Sequence, residues 1–418
     1  MEPTLLLRPL RPAVAAGAAC TLDLLITIQP PPMPDLTDRP RPPLNLALVI
    51  DRSGSMGGSK LDYAKKAACF VAAQLTSADR LAVLAFDNEV TLVVGSTPVQ
   101  DPQWFTQAIN RLECGGSTAL FDGWHAGVLQ VAKHFNPAAL NRVLLLSDGQ
   151  ANSGLTDTRA IARKVSGLTE RGVSTSAFGL GEDFDEDLMG AMVTAGNGTL
   201  AHIESPQQLE ELYAAELRGL ATTAGRNLTL SIQPLHGAEV LEVLNHFPLS
   251  PNGHHQLPDL RLGQELNVAV RLKLPPWQAK QAIARVHLDW TPPGNACRQH
   301  LQTDLSLPIR AMEEIDALPE DPIVAAEFAI QQANLARKKA IECIDRGDIA
   351  GAQSSLALAR YCMAPMLDDH CYAMEFALMD EHETLLLSDP NKARKGLSKG
   401  WLRSILHVWD DKKEPAKQ

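Results

Sequence analysis

The sequence lacks the features that mark membrane-spanning and nucleic-acid-binding proteins. No run of consecutive apolar residues reaches the roughly 18 that a membrane helix needs, so we expect no membrane span. Lys and Arg number 38 against 49 Asp and Glu, which gives a net charge of −11. Because no basic stripe stands out against this acidic balance, we expect no nucleic-acid partner.

The cysteines also lack a pattern. Their number, 7, is odd, no two of them form a CxxC pair, and no His follows at the spacing of a zinc ligand. This usage is typical of reduced thiols in a cytoplasmic protein and disfavours a zinc site. Arg8, Pro9 and Asp23 interrupt the apolar N-terminus, which therefore predicts strands rather than a signal peptide.

The chain is long enough for two or three domains, because its 418 residues exceed the roughly 250 to 300 at which a single hydrophobic core stops growing. Residues 1–40 predict the first strands of a β-sandwich and a Pro-rich linker, and residues 226–312 predict the rest of that sandwich. Residues 318–385 predict a helical hairpin with a break at Gly347. Residues 386–418 predict a flexible tail with a short amphipathic helix.

Residues 44–220 lie between the two sandwich segments and have a different pattern. Buried runs such as LNLALVI (44–50) and NRVLLLS (141–147) are separated by stretches with helical spacing. This alternation is typical of a parallel sheet that helices cover on both faces. We therefore predict a doubly wound, mostly parallel α/β domain inserted in the β-sandwich and followed by the helical hairpin.

Three short polar segments fall where elements of this domain end. Asp51, Ser53 and Ser55 follow the first strand, Thr118 lies in a Gly-containing loop before a helix, and Asp148 follows a later strand. Ligands of open α/β sheets bind at the carboxyl ends of the strands. Oxygen ligands suit Mg²⁺, Mn²⁺ or Ca²⁺. Because two carboxylates make a cage poor in charge, we favour Mg²⁺ with a position open to an anionic oxygen.

These motifs resemble the metal-ion-dependent adhesion site of von Willebrand factor A (VWA) domains. DxSxS, a Gly-flanked Thr and a strand-ending Asp-Gly occur in the family's order over about residues 44–215. The resemblance implies a Rossmann-like fold and an intact site. Ser53 and Ser55 are then direct ligands, and Thr118 switches between direct and water-mediated contact. Asp51 and Asp148 are direct or water-mediated carboxylates.

The segments GGSTALFDGW and FGLGEDFDEDLM extend the resemblance to bacterial intracellular VWA proteins. That wider similarity implies an adaptor or regulator that works beside ATPases, kinases or phosphatases. Our first hypothesis is a non-enzymatic, divalent-cation-dependent protein–protein interaction module, in which the metal coordinates an Asp or Glu of a partner. A regulatory subunit of an AAA ATPase or of a kinase and phosphatase assembly is the alternative. A metal-assisted hydrolase is disfavoured, because no general base can be placed near the serines.

Overall fold

The structure, a computed structural model, describes residues 2–32, 41–148, 151–180, 184–203, 208–250, 252–295, 297–364 and 370–406. Residues 33–40 of the predicted Pro-rich linker therefore lie outside the described residues. The strands are β1 (Thr4–Pro9), β2 (Val14–Ala15), β3 (Cys20–Gln29), β4 (Leu44–Asp51), β5 (Arg80–Phe86), β6 (Val90–Pro98), β7 (Leu140–Ser147), β8 (Val173–Leu180), β9 (Leu200–Ile203), β10 (Thr223–Pro234), β11 (Glu239–Val243), β12 (His255–Gln256), β13 (Leu260–Arg261), β14 (Leu266–Leu274), β15 (Ala282–Thr291), β16 (Gln299–Ser306) and β17 (Ile309–Arg310). The helices are α1 (Ser59–Gln74), α2 (Pro102–Asn110), α3 (Leu120–Lys133), α4 (Thr158–Thr169), α5 (Glu186–Ala195), α6 (Gln208–Ala221), α7 (Met312–Asp316), α8 (Pro322–Asp345), α9 (Ile349–Met363), α10 (His370–Ser388) and α11 (Pro390–Leu406), with a 3-10 turn at Gly54–Met56.

A six-stranded sheet of order β6-β5-β4-β7-β8-β9 forms the centre of the α/β unit, which comprises β4 to α6. Its neighbouring strands are parallel except for the antiparallel pair β5 and β6. Alternate residues of β4 enter different cores: Leu46 and Leu48 pack with α1, α2 and α6, whereas Ala47 and Val49 pack with α3, α4 and α5. Helices therefore cover both faces of the sheet, and the predicted mostly parallel α/β fold is confirmed.

The N-terminal strands pair with the segment that follows the α/β unit. Strand β3 is antiparallel to β14 in a sheet of order β1-β3-β14-β11, and a second antiparallel sheet contains β12-β10-β15-β16. Leu24 and Ile26 from the first sheet share one apolar core with Val286 and Leu288 from the second. The α/β unit is thus inserted between β3 and β10 of this two-sheet unit, which we call the β unit.

The C-terminal region is more extensively helical than predicted. Helices α8 and α9 pack against each other after a turn at Gly347, whose φ of 74° favours glycine. Two further helices, α10 and α11, follow them, and α11 packs against α8. No helix within the described ranges is long and apolar enough to cross a membrane.

In place of a flexible tail with a short amphipathic helix, the structure has a longer helix, α11, that packs on its neighbours. Ala393 and Leu397 of α11 are buried in one apolar cluster with Ala340 and Leu356, and Trp401 packs against this cluster. Burial on neighbouring helices stabilises α11, although its own sequence is rich in Lys and Arg and has a weak apolar stripe. Residues 407–418 lie outside the described part of the chain.

The helical region contacts both other units. Phe328 of α8 packs against Leu25 and Ala269 on the outer face of the β unit. The guanidinium of Arg394 in α11 donates to Glu186 at 3.1 Å and to Asp187 at 2.6 Å, both in the first turn of α5. The same guanidinium donates to Asp345 at the end of α8 at 2.5 Å. Arg394 therefore ties the helical region to the α/β unit.

A buried ionic network joins the α/β unit to the β unit. The guanidinium of Arg142, near the start of β7, donates to Glu216 of α6 at 2.6 Å and to Asp259 at 3.1 Å. The Ser176 hydroxyl donates to the same Glu216 carboxylate at 2.6 Å. Burial acts to raise the pKa of Glu216, but the charges of Arg142 and Arg261, together with hydrogen bonds from Ser176 and Thr199, lower this pKa to about 2. The network therefore keeps a buried carboxylate ionised.

Replacing Arg142 by Met is expected to lower the free energy of unfolding by about 3 to 5 kcal/mol, because it leaves Glu216 buried without its main counter-charge. Urea denaturation followed by circular dichroism measures the change. Arg285→Met is the matched control, since it removes the same charge from an exposed pair with Asp304. Its urea midpoint should stay near that of the wild type. Equal midpoints for the two variants would contradict the role of Arg142.

Glu216 also predicts how stability depends on pH. Its pKa is about 2 in the folded protein against an ordinary value of 4.5. The stabilisation from the ionised carboxylate is therefore complete above the ordinary pKa and is lost as the pH falls toward about 2, because the unfolded chain takes up the proton first. In Glu216→Gln this component is missing. The fall in urea midpoint between about pH 5 and about pH 3 should then be smaller than in the wild type, and an equal fall would count against the network.

Candidate metal site

The five predicted metal ligands lie at the carboxyl edge of the central sheet. Asp51 is the last residue of β4, and Asp148 directly follows β7, which is its neighbour in the sheet. Ser53 and Ser55 lie at the 3-10 turn before α1, and Thr118 lies in the loop before α3. Ser55 is exposed, whereas the other four side chains are buried. Gly149 of the Asp-Gly motif lies outside the described residues.

A chain of hydrogen bonds links the two carboxylates. The Ser53 backbone N–H donates to Oδ1 of Asp51 at 2.8 Å. The hydroxyls of Ser53 and Ser55 lie 3.1 Å apart, and the Ser55 hydroxyl donates to Oδ1 of Asp148 at 2.7 Å. Oδ2 of Asp51 accepts a hydrogen bond from the Ser147 hydroxyl at 2.5 Å. The structure thus brings four of the five predicted ligands into direct contact.

Thr118 is placed by its backbone. Its N–H donates to the Asn152 side-chain oxygen at 2.9 Å, and the Asn152 N–H donates to the Thr118 carbonyl at 3.2 Å. The Gly54 N–H donates to the Gly116 carbonyl at 2.9 Å. The loop that carries Thr118 is therefore bonded to the turn that carries the two serines.

Asp87, which the sequence analysis did not single out, supports both of these loops. It follows β5, is buried, and pairs with the Arg52 guanidinium at 3.1 Å. One of its oxygens accepts a hydrogen bond from the Gly116 N–H at 3.4 Å. A Cβ on Gly115 would lie 1.6 Å from Oδ2 of Asp87, so this close approach requires glycine. The sequence did offer one signal for Asp87, because this residue comes at the end of a buried strand, as Asp51 and Asp148 do.

The electrostatics of the site favour a cation. Burial is the main reason that the pKa of Asp51 rises from 3.8 to about 6, and the charge of Asp148 adds to the rise. Hydrogen bonds from Ser147 and Ser53 act in the opposite direction. A positive charge beside two buried carboxylates offsets both burial and repulsion. The oxygen-only set of carboxylates and hydroxyls fits a hard divalent cation.

One cationic side chain already contacts this pair. The Lys60 ammonium, from the first turn of α1, contacts Oδ2 of Asp148. The sequence analysis did not single out Lys60. It also missed Ser147, although Ser147 directly precedes Asp148 and ends the strand next to β4.

Comparison with known proteins identifies this part of the chain. Residues 45–215 match the family model of the von Willebrand factor type A domain. The chain contains a VWA domain. Domains of this family commonly mediate protein–protein interaction and hold a divalent metal at the adhesion site. The sequence-based assignment to the VWA proteins is confirmed.

The similarity extends beyond the VWA domain. A von Willebrand factor type A protein from Catenulispora acidiphila matches 96% of this chain and 96% of its own, with a TM-score of 0.70 and 17% identity. The ArnB paralog VWA2 from Sulfolobus acidocaldarius matches 97% of this chain and 99% of its own, with a TM-score of 0.62 and 17% identity. The uncharacterized protein sll0103 of Synechocystis is 27% identical over 76% of this chain and 78% of its own. The two structures show that the fold of nearly the whole chain recurs.

Gly115→Ala in the VWA domain is expected to lower the free energy of unfolding by about 1 to 3 kcal/mol, because the added methyl group must displace Asp87 or its own loop. Calorimetry in EDTA measures this loss without a contribution from bound metal. Gly167→Ala in α4 is the control, since a Cβ there meets no atom within 4 Å. Its stability should equal or slightly exceed that of the wild type. Similar stability of the two variants would contradict the tight packing of Gly115 on Asp87.

Proposed function

We propose that the chain is a divalent-cation-dependent protein–protein interaction module whose VWA domain binds Mg²⁺ through Asp51, Ser53, Ser55, Thr118 and Asp148. The supporting observation is the chain of hydrogen bonds that brings both carboxylates and both serine hydroxyls together at the sheet edge. When bound, the metal supplies positive charge and a coordination position for an Asp or Glu of a partner protein. Mn²⁺ and Ca²⁺ are alternatives for the same oxygen ligands.

The exposure of the surrounding residues sets the direction of approach. Asp51 and Asp148 are 0% and 1% exposed, whereas Ser55 and the loop residues 113–117 are exposed. A partner carboxylate therefore reaches the metal from the side of this loop. Two carboxylates neutralise the charge of a divalent cation. A partner carboxylate that then binds the metal adds only its own single negative charge to the site.

We propose that this arrangement binds rather than catalyses. Both oxygens of Asp51 accept hydrogen bonds, from Ser53 and from Ser147, and both oxygens of Asp148 contact donors on Ser55 and Lys60. A metal-assisted hydrolase needs a general base that accepts a proton from the attacking water, and these carboxylates are already engaged. Location in the cytoplasm stays a prediction from the cysteine usage.

A second candidate function is a regulatory subunit of an AAA ATPase or of a kinase and phosphatase assembly. The observation that favours it is the Arg394 contact with Glu186 and Asp187. Helix α5 follows β8, whose carboxyl end lies at the same sheet edge as the metal site. A change at this edge would therefore reach the helical region through α5 and α11.

Asp51→Ala is expected to abolish capture of the partner from native lysate in Mg²⁺, as EDTA does for the wild type, because it removes a buried ligand of the metal. Affinity capture followed by mass spectrometry identifies the proteins, and isothermal titration with MgCl₂ reports the metal directly. Asp62→Ala is the matched control, because Asp62 is an exposed carboxylate in the first turn of α1. A partner that persists in EDTA and in Asp51→Ala would place docking elsewhere and contradict the proposal.

A further inference from the structure

The position of Lys60 gives it a part in the metal site that the ligand motif does not include. Its ammonium contacts Oδ2 of Asp148, while Oδ1 of the same carboxylate accepts a hydrogen bond from Ser55 at 2.7 Å. The Asp148 side chain is 0% exposed, whereas that of Lys60 is 34% exposed. A cation that can reach solvent is therefore in direct contact with a buried ligand of the proposed metal.

Among the described residues, the ion pair recorded for the two site carboxylates is the one between Lys60 and Asp148. Arg52, which is also close to the site, is paired with Asp87 at 3.1 Å instead. The Lys60 ammonium thus carries the positive charge that directly offsets Asp148. A divalent cation that uses the Asp148 carboxylate has to share it with this ammonium or replace it.

We propose that Lys60 is a built-in counter-ion of the metal site, and that its ammonium leaves Asp148 when the divalent cation binds. The inference rests on the proposed function, because both concern the same carboxylates. Sharing is disfavoured, since ammonium and divalent cation repel each other at this range. Exchange is feasible because a Lys ammonium is a point charge on a flexible four-carbon stem. Lys60 therefore lowers the affinity for the metal and stabilises the site without it.

The test compares two neutral variants with a matched control. Lys60→Met keeps an apolar stem and removes the charge, and Lys60→Gln is measured in parallel so that a folding defect of one variant does not decide the result. Lys65→Met makes the same charge change on the same helix, at a residue whose ammonium lies 3.5 Å from the exposed Asn110 carbonyl. All three are titrated with MgCl₂ by calorimetry beside the wild type.

We expect Lys60→Met and Lys60→Gln to bind Mg²⁺ about tenfold more tightly than the wild type, which corresponds to about 1.4 kcal/mol. Lys65→Met should bind as the wild type does. Melting temperature gives a second readout: in EDTA the Lys60 variants should melt below the wild type, because the carboxylates lose their counter-ion. In saturating Mg²⁺ this deficit should disappear, because the metal then balances both carboxylates.

The outcomes separate the inference from the proposed function. Equal Mg²⁺ affinity in the wild type and the Lys60 variants would overturn the counter-ion role and leave the metal-dependent function standing, as would weaker binding by the variants. Mg²⁺ binding by the Lys60 variants alone would support the counter-ion role and overturn the proposed function of the natural chain. Absence of binding in all four proteins would overturn both.

Discussion

Two negative charges, those of Asp51 and Asp148, lie side by side at the buried carboxyl edge of the VWA sheet, and the surrounding residues make this arrangement tolerable. Burial and mutual repulsion oppose it, as the raised pKa of Asp51 shows. Parallel pairing of β4 with β7 brings the carboxylates together, and a backbone N–H, two hydroxyls and an ammonium then contact their four oxygens. The tight packing of the Gly115 loop on Asp87, and the bond from Gly54 to Gly116, keep the loop of Thr118 beside the turn of the two serines. The site is thus a consequence of strand order as much as of the ligand motif.

Much of the VWA domain was predictable because its periodicity is strong. Strands β4 and β7 agree with the predicted runs 44–50 and 141–147 to within one residue at each end, since continuous apolar runs bounded by polar residues leave little freedom of register. The motif spacing likewise indicated the five candidate ligands, which the fold places at one edge of the sheet. Their supporting contacts were not predictable, because Lys60 reaches Asp148 across 88 positions of sequence, and Ser147 reaches Asp51 across 96. The length of helix α11 was underestimated, because its stability comes from the surfaces it packs on rather than from its own pattern.

The β unit and the helical region contact the VWA domain at different places. Arg142, near the amino end of β7, holds Glu216 and also Asp259 of the β unit. Arg394 holds the start of α5, near the opposite edge. Each contact gathers several carboxylates around one planar guanidinium, a geometry that Lys does not reproduce. The orientation of the edge that carries the candidate metal site is therefore fixed relative to both neighbours, and recurrence of the fold over 96% of the Catenulispora protein fits a shared arrangement.

The insertion of the VWA domain between β3 and β10 has a mechanical consequence. The chain enters the domain before Leu44 and leaves it after Ala221, and the Arg226 guanidinium of β10 donates to the Ala139 and Pro137 carbonyls beside the start of β7. Both crossings thus lie at the amino end of the sheet, opposite the candidate metal site. A tensile force applied at that site would be divided between two covalent connections of the chain. Two connections in parallel therefore resist separation of the VWA domain from the β unit.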